Sequence, residues 1–231
     1  MTRGSVLSAL LAAGAAVLAA PRDAGADGTL SAWSSAAVDA GDLTSDTASA
    51  MAGTSWGLSA AVNDTNAVYV QDDSPDDEPR YRARFYVDPS QFDPGTAFAH
   101  FRTRILIAFS DSPTRRVAAI VLRKVNGQYG IMGRARRDDN SQADTGFFAI
   151  TAGPHAVEFD LIASTGPDAS DGAFSLWIDG VLVSTLAGID NSASAVDFAR
   201  MGALSVKQGA TGLLLFDEFE SRRETYIGLE P

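Results

Sequence analysis

Residues 81–87, YRARFYV, alternate without a break between two kinds of side chain. Tyr81, Ala83, Phe85 and Val87 fall on one side of an extended chain, and Arg82, Arg84 and Tyr86 on the other. A period of two marks a strand with one buried face. The polar side predicts an antiparallel sheet whose outer surface meets water. The same grain recurs along most of the chain, at 30–36, 56–62, 66–72, 102–109, 115–125, 128–137, 155–164, 173–186, 196–206 and 211–223. Turn-forming residues separate these stretches. Asn126-Gly127 predicts a tight hairpin between 115–125 and 128–137, and Asp179-Gly180 predicts another inside 173–186. The stretches ADTGFF and GPDASDG read as loops. Beyond residue 26 no helical period longer than two turns is found. About a dozen short strands joined by turns predict one all-β domain, a two-sheet sandwich or a barrel.

The N-terminus reads differently. Arg3 precedes an apolar run from about Val6 to Ala20, and Ala24-Gly25-Ala26 offers a small-residue cleavage site. Residues 1–26 are therefore expected to be a signal peptide, leaving 27–231, 205 residues, as a single domain. The expected location is secreted, extracellular or periplasmic, with no membrane contact after cleavage. The chain has no cysteine, which excludes disulfides and a lipidated cysteine anchor. The net charge is −11 over 231 residues, which argues against nucleic acid as a partner.

PHAVEFDLIASTGPDASDGAFSLWIDGVLV, 154–183, resembles the hairpin region of concanavalin A-like, laminin G-like domains: His155 near a strand start, a variable loop, then an aromatic-x-Asp-Gly hairpin at Trp177-Ile178-Asp179-Gly180. LSAWSSA, YVQDDSPDDEPRYRARFYVDP and FDEFESRRETYIG are similar to stretches of a bacterial exported laminin G-like family. The resemblance covers nearly all of 27–228. It implies an antiparallel jelly-roll sandwich that binds an extracellular glycan or surface polymer, adheres, or builds a surface structure without catalysis. The alternative it leaves open is a glycan-active hydrolase or lyase on the same fold. Laminarinase-type relatives carry Glu-x-Asp-x-x-Glu along one strand; here Glu158 and Asp160 match but the third position is Ala163. The resemblance also implies a structural calcium held by Asp217 of the last strand and by an N-terminal acid, Asp27, Asp39 or Asp42. The competing reading pairs Asp217 with an arginine or leaves it at the sheet rim.

Sugar sites need aromatic faces for pyranose rings and fixed polar groups for hydroxyls. Trp33, Trp56, Trp177, Tyr69, Tyr86 and Tyr129 are the available aromatics, and Tyr86 and Trp177 are the candidates among them. Arg134 and Arg136 share a strand face, and with Arg80, Arg82 and Arg84 they are expected to form a basic outer surface that either binds acidic glycan or pairs with nearby acids. Glu218 and Glu220 are expected to be solvated, with Arg222 and Arg223 beside them, and QDDSPDDEP, 71–79, to be a solvated acidic loop. No G-x-S-x-G, zinc-ligand spacing or phosphate-cradling glycine loop is present.

Overall fold

The computed structural model describes residues 29–95, 102–111 and 114–230. The expected signal peptide and Asp27 lie outside the described residues. Two antiparallel sheets pack face to face as a jelly-roll sandwich. The first sheet runs β1 (Ser35–Ala37), β4 (Val68–Asp72), β15 (Phe198–Leu204), β7 (Arg102–Asp111), β8 (Thr114–Val125), β9 (Gln128–Arg136) and β10 (Gln142–Asp144), with β11 (Phe148–Ile150) also on β9. The second runs β14 (Val181–Ile189), β13 (Gly172–Ile178), β12 (His155–Ile162), β5 (Arg80–Asp88), β16 (Thr211–Arg222), β3 (Gly57–Val62) and β2 (Leu43–Asp46), with β6 (Phe92–Asp93) on β16.

The alternation of 81–87 has the predicted outcome: Tyr81, Ala83, Phe85 and Val87 are wholly buried between the sheets. Their neighbours are aromatic, with Tyr81 5.9 Å from Phe159 and Phe159 stacked 5.7 Å from Phe174. Both predicted hairpins form. Asn126-Gly127 and Asp179-Gly180 each put two successive residues at positive φ (51° and 79°, 52° and 75°), the turn whose twist matches the flanking strands. His155 locks the second hairpin to the rest of its sheet. Its Nδ1 lies 2.7 Å from Asp179 Oδ2 and its Nε2 lies 2.9 Å from Thr151 Oγ1, while the Ala156 N–H donates to Asp179 Oδ1. The His and Asp-Gly of the quoted motif thus have a structural use.

Three local readings are corrected. ADTGFF, expected as loop, is bracketed by β10 and β11, which pair with opposite ends of β9; three-residue strands are too short to show a period. Only the last two residues of the 30–36 stretch are strand, in β1, although Trp33 still reaches the core, 5.1 Å from Phe219. In β16 the alternation breaks. A bulge between Asp217 and Glu220 turns both Phe216 and Phe219 inward, three positions apart, with Glu218 at φ +48°.

Candidate functional site

The two outer faces of the sandwich differ sharply. On the first sheet, antiparallel registers place Gln71, Arg200, Ile107, Ala119, Arg134 and Asp144 in one row across six strands, β4 to β10. Five inter-strand spacings make that row about 24 Å long. At one end Arg200 lies over three rings, 4.6 Å from Tyr69, 5.1 Å from Phe109 and 5.2 Å from Phe198, and donates to Gln71 at 2.7 Å. Phe109 and Phe198 stack at 4.7 Å. Toward the other end Arg104, Arg116, Arg134 and Arg136 line one shallow depression with Gln142. Its volume of about 10 Å³ holds a water and no sugar ring, so a ligand here lies across the face.

This arginine group is only partly neutralised. Arg134 makes a bidentate pair with Asp144, both contacts at 2.6 Å. Arg136 instead donates to the Arg116 carbonyl at 2.8 Å and the Asn140 carbonyl at 3.2 Å. Arg102, Arg104 and Arg116 have no acidic partner within 4 Å among the described residues. Burial, then the charges of Arg116, Arg134, Arg102 and Arg136, push the Arg104 guanidinium down to about 10. Arg136 is lowered too, by burial and then by Arg115, Arg116 and Arg134. A cluster of like charges that depress one another is repulsive by itself and is relieved by an anion.

Tyr86 and Trp177 belong to the opposite face. The outer side of the second sheet carries a ladder of buried charges. Arg82 bridges Glu158 at 2.7 Å and Asp160 at 2.6 Å, and Arg80 reaches Asp160 at 2.7 Å. Arg84, only 1% exposed, faces Glu218 and Glu220 at 3.4 Å each and also pairs with Glu230. The chain beyond β16 turns back across this ladder. Tyr226 packs against Trp177 at 5.7 Å, and Tyr86 Oη accepts from the Glu230 N–H at 3.2 Å. Both candidate aromatics are therefore half-buried beneath the chain's own C-terminal segment.

Two expectations fall here. The five arginines do not form one basic surface, because Arg80, Arg82 and Arg84 sit on β5 and Arg134 and Arg136 on β9, in different sheets. Nor are Glu218 and Glu220 solvated; they are 7% and 4% exposed and meet Arg84. Arg222 does pair with Glu220, at 2.6 Å, but Arg223 pairs with Glu78. Glu158 and Asp160 share a face as read, and both are tied to arginines rather than facing open space.

Asp217 is completely buried and its carboxylate is surrounded by donors: the Met51 N–H at 2.5 Å, the Thr54 hydroxyl, and the Glu218 N–H at 2.8 Å. Each of these groups donates to the carboxylate, the pairing that a buried carboxylate requires. No group of three or more His, Cys, Asp or Glu suited to a metal occurs among the described residues. Asp39 and Asp42 lie at the start of the described chain, and Asp42 accepts instead from Asn63 at 2.9 and 3.1 Å.

Of the four carbohydrate candidates, the first sheet brings Arg134 and Arg136 together and the second holds Tyr86 and Trp177. Arg104, Arg116, Arg200, Tyr69, Phe109 and Phe198 were not among them. One signal was present: RTR at 102–104 has the same Arg-x-Arg spacing as RAR at 134–136, and alternate arginines on a strand share a face. That Arg104 meets Arg134 and Arg136 depends on β7, β8 and β9 being neighbours.

No family model matches the chain, and no curated protein is similar to it in sequence. Solved structures share its fold. Cellulose induced protein Cip1 superposes with a TM-score of 0.55 at 14% identity, over 80% of this chain and 87% of that one. The alginate lyase Aly36B, as a mutant in complex with alginate trisaccharide, gives 0.52 at 14% identity, over 73% of this chain and 82% of that one. Against the botulinum neurotoxin type G receptor binding domain the TM-score is 0.49 at 9% identity, and the chain, matched over 74% of its length, spans 40% of that domain. These likenesses concern the fold.

Proposed function

We propose that the protein is an exported, non-catalytic module that binds an acidic glycan lengthwise across the outer face of the first sheet. The observation that carries this reading is the arginine group, of which only Arg134 is paired with an acid among the described residues, beside the ring cluster of Tyr69, Phe109 and Phe198. Guanidinium groups match carboxylate or sulfate oxygens. Arg200 lies over the aromatic rings and extends the cationic row beyond the depression. A fold shared with an alginate lyase supports a uronate-rich ligand without specifying one. In this reading the Asp217 pocket serves stability and needs no calcium.

The test is titration of polyuronate and of a neutral glucan, followed by calorimetry, on the full chain and on Arg104→Gln/Arg116→Gln. The expected result is binding of the polyuronate alone, weakened at least ten-fold (about 1.4 kcal/mol) in the double variant. Equal binding of the neutral glucan would overturn the reading. Release of unsaturated oligouronides, followed in the ultraviolet, would replace a binding module by a lyase.

A further inference from the structure

The C-terminal segment behaves as a bound ligand. Beyond β16, residues 226–230 lie over β5, β12 and β13, and each makes a defined contact. The Tyr226 ring covers Trp177 and the Arg82 guanidinium, 5.6 Å away, and its hydroxyl donates to the Gly180 carbonyl. The Ile227 and Gly228 N–H groups chelate the two oxygens of Glu158, at 3.1 and 3.0 Å. Arg84 donates to the Gly228 carbonyl at 3.3 Å and to the Glu230 carboxylate. Leu229 rests against Gly180.

The face beneath is not completed by this segment. Arg82 and Arg84 are 5% and 1% exposed, yet the Nε of each has no hydrogen-bond partner among the described residues. Leaving a buried donor unpaired is costly, more so on a charged group. The segment also leaves Tyr226 and Leu229 about half exposed. It therefore buries the face but leaves two of its donors unsatisfied.

We propose that this face is a second saccharide site, masked in cis by residues 224–230. What the segment supplies is what a pyranose supplies: a flat apolar surface on Trp177, two neighbouring donors for the Glu158 carboxylate, and oxygen acceptors for Arg84. A sugar bears more oxygen acceptors per unit length than a peptide and has some to offer the two unpaired Nε groups. The ladder beneath is internally neutralised by Glu158, Asp160, Glu218 and Glu220, so the ligand class is a neutral oligosaccharide, unlike that of the first sheet. Release of the segment about residues 223–225 exposes the site, and the segment competes with sugar as a tethered ligand at high effective concentration.

The experiment compares the full chain with its Tyr226→Ala/Leu229→Ala variant and with a chain ending at Arg223. Cello-, xylo- and laminarihexaose are the probes, read by tryptophan fluorescence and calorimetry, with circular dichroism reporting the fold. At least one hexaose is expected to bind a loosened variant ten-fold or more tighter than the full chain, with free peptide ETYIGLEP displacing it. An alginate oligomer titrated in parallel reports on the first sheet and is expected to be unaffected, which separates this proposal from the preceding one. If the truncated chain does not fold, the double variant decides. Folded variants that bind the peptide but no hexaose would overturn the proposal and make the segment a structural clasp.

Discussion

Asp217 illustrates how one residue's role depends on its partners' chemistry. Alternation places it among apolar residues, where an unpaired carboxylate is expensive. The fold answers with N–H and O–H donors from the 51–54 loop. Asp217→Ala strands those donors in a buried site and is expected to cost about 3 kcal/mol, measured by chemical denaturation. Because the donors already hold the carboxylate, chelator is expected to leave the melting temperature unchanged; a fall would restore calcium. Arg104 carries the second residue-scale prediction. Its value, lowered to about 10, means that the charged form is disfavoured in the fold. The resulting penalty on stability is full below about pH 10 and is relieved as pH rises from there toward the ordinary value. Binding of a polyanion has the opposite need, since it uses the charged form. Affinity for polyuronate is therefore expected to fall between about pH 9 and about pH 11, and Arg104→Gln to flatten that part of the profile.

At the scale of elements, β5 and β12 are joined on one face by apolar contacts and on the other by ion pairs. Arg82 lies between Glu158 and Asp160, all three nearly buried. Buried pairs are expensive to break and can be neutral to replace. Arg82→Met alone is expected to lose about 3 kcal/mol, because it removes the partner that two buried carboxylates share and leaves Asp160 to Arg80 and Glu158 to the backbone N–H groups of Ile227 and Gly228. Adding Glu158→Leu and Asp160→Leu is expected to restore much of that loss, and a denaturation cycle over the variants measures the coupling. The bulge in β16 belongs to this scale. Without it Phe219 and Glu220 would exchange faces, removing a core ring and an Arg84 partner together. Period-two reading runs straight through such a bulge, and it cannot see that Arg84 and the returning C-terminal segment cover Glu218 and Glu220.

Across the whole molecule, a net charge of −11 coexists with a face of clustered arginines. Composition therefore understates what the surface can attract. The acids gather toward one end of the face: Asp77, Asp111, Asp138 and Asp197 line a depression of about 630 Å³ together with Arg115, and Asp73, Asp76, Asp111 and Asp197 line another beside Arg200 and Phe198. Opposite fields on one particle orient an approaching polyanion and push it away from the wrong end. Polyuronate affinity is expected to fall steeply as salt rises from about 0.05 to 0.5 M, while any hexaose binding unmasked on the second sheet stays nearly level. Calorimetry at several salt concentrations makes the distinction.

The sequence by itself determined the longer strands, the inner face of YRARFYV, both Gly-containing hairpins and the shared face of Arg134 and Arg136, while the short β2, β6, β10 and β11 escaped it. Each rests on local geometry, a period of two or a turn that demands positive φ, which a few neighbouring residues specify. It also pointed to the sandwich, since many short amphipathic strands have few other ways to bury one side. Only the tertiary structure decided which strands adjoin. That decision put the five expected arginines on two opposite faces, joined Arg104 and Arg116 to Arg134 and Arg136, and brought the C-terminal residues back over Tyr86 and Trp177. Strand order and the path of a returning tail are fixed by pairings between residues more than a hundred positions apart, such as Arg84 with Glu230, and no local period encodes them.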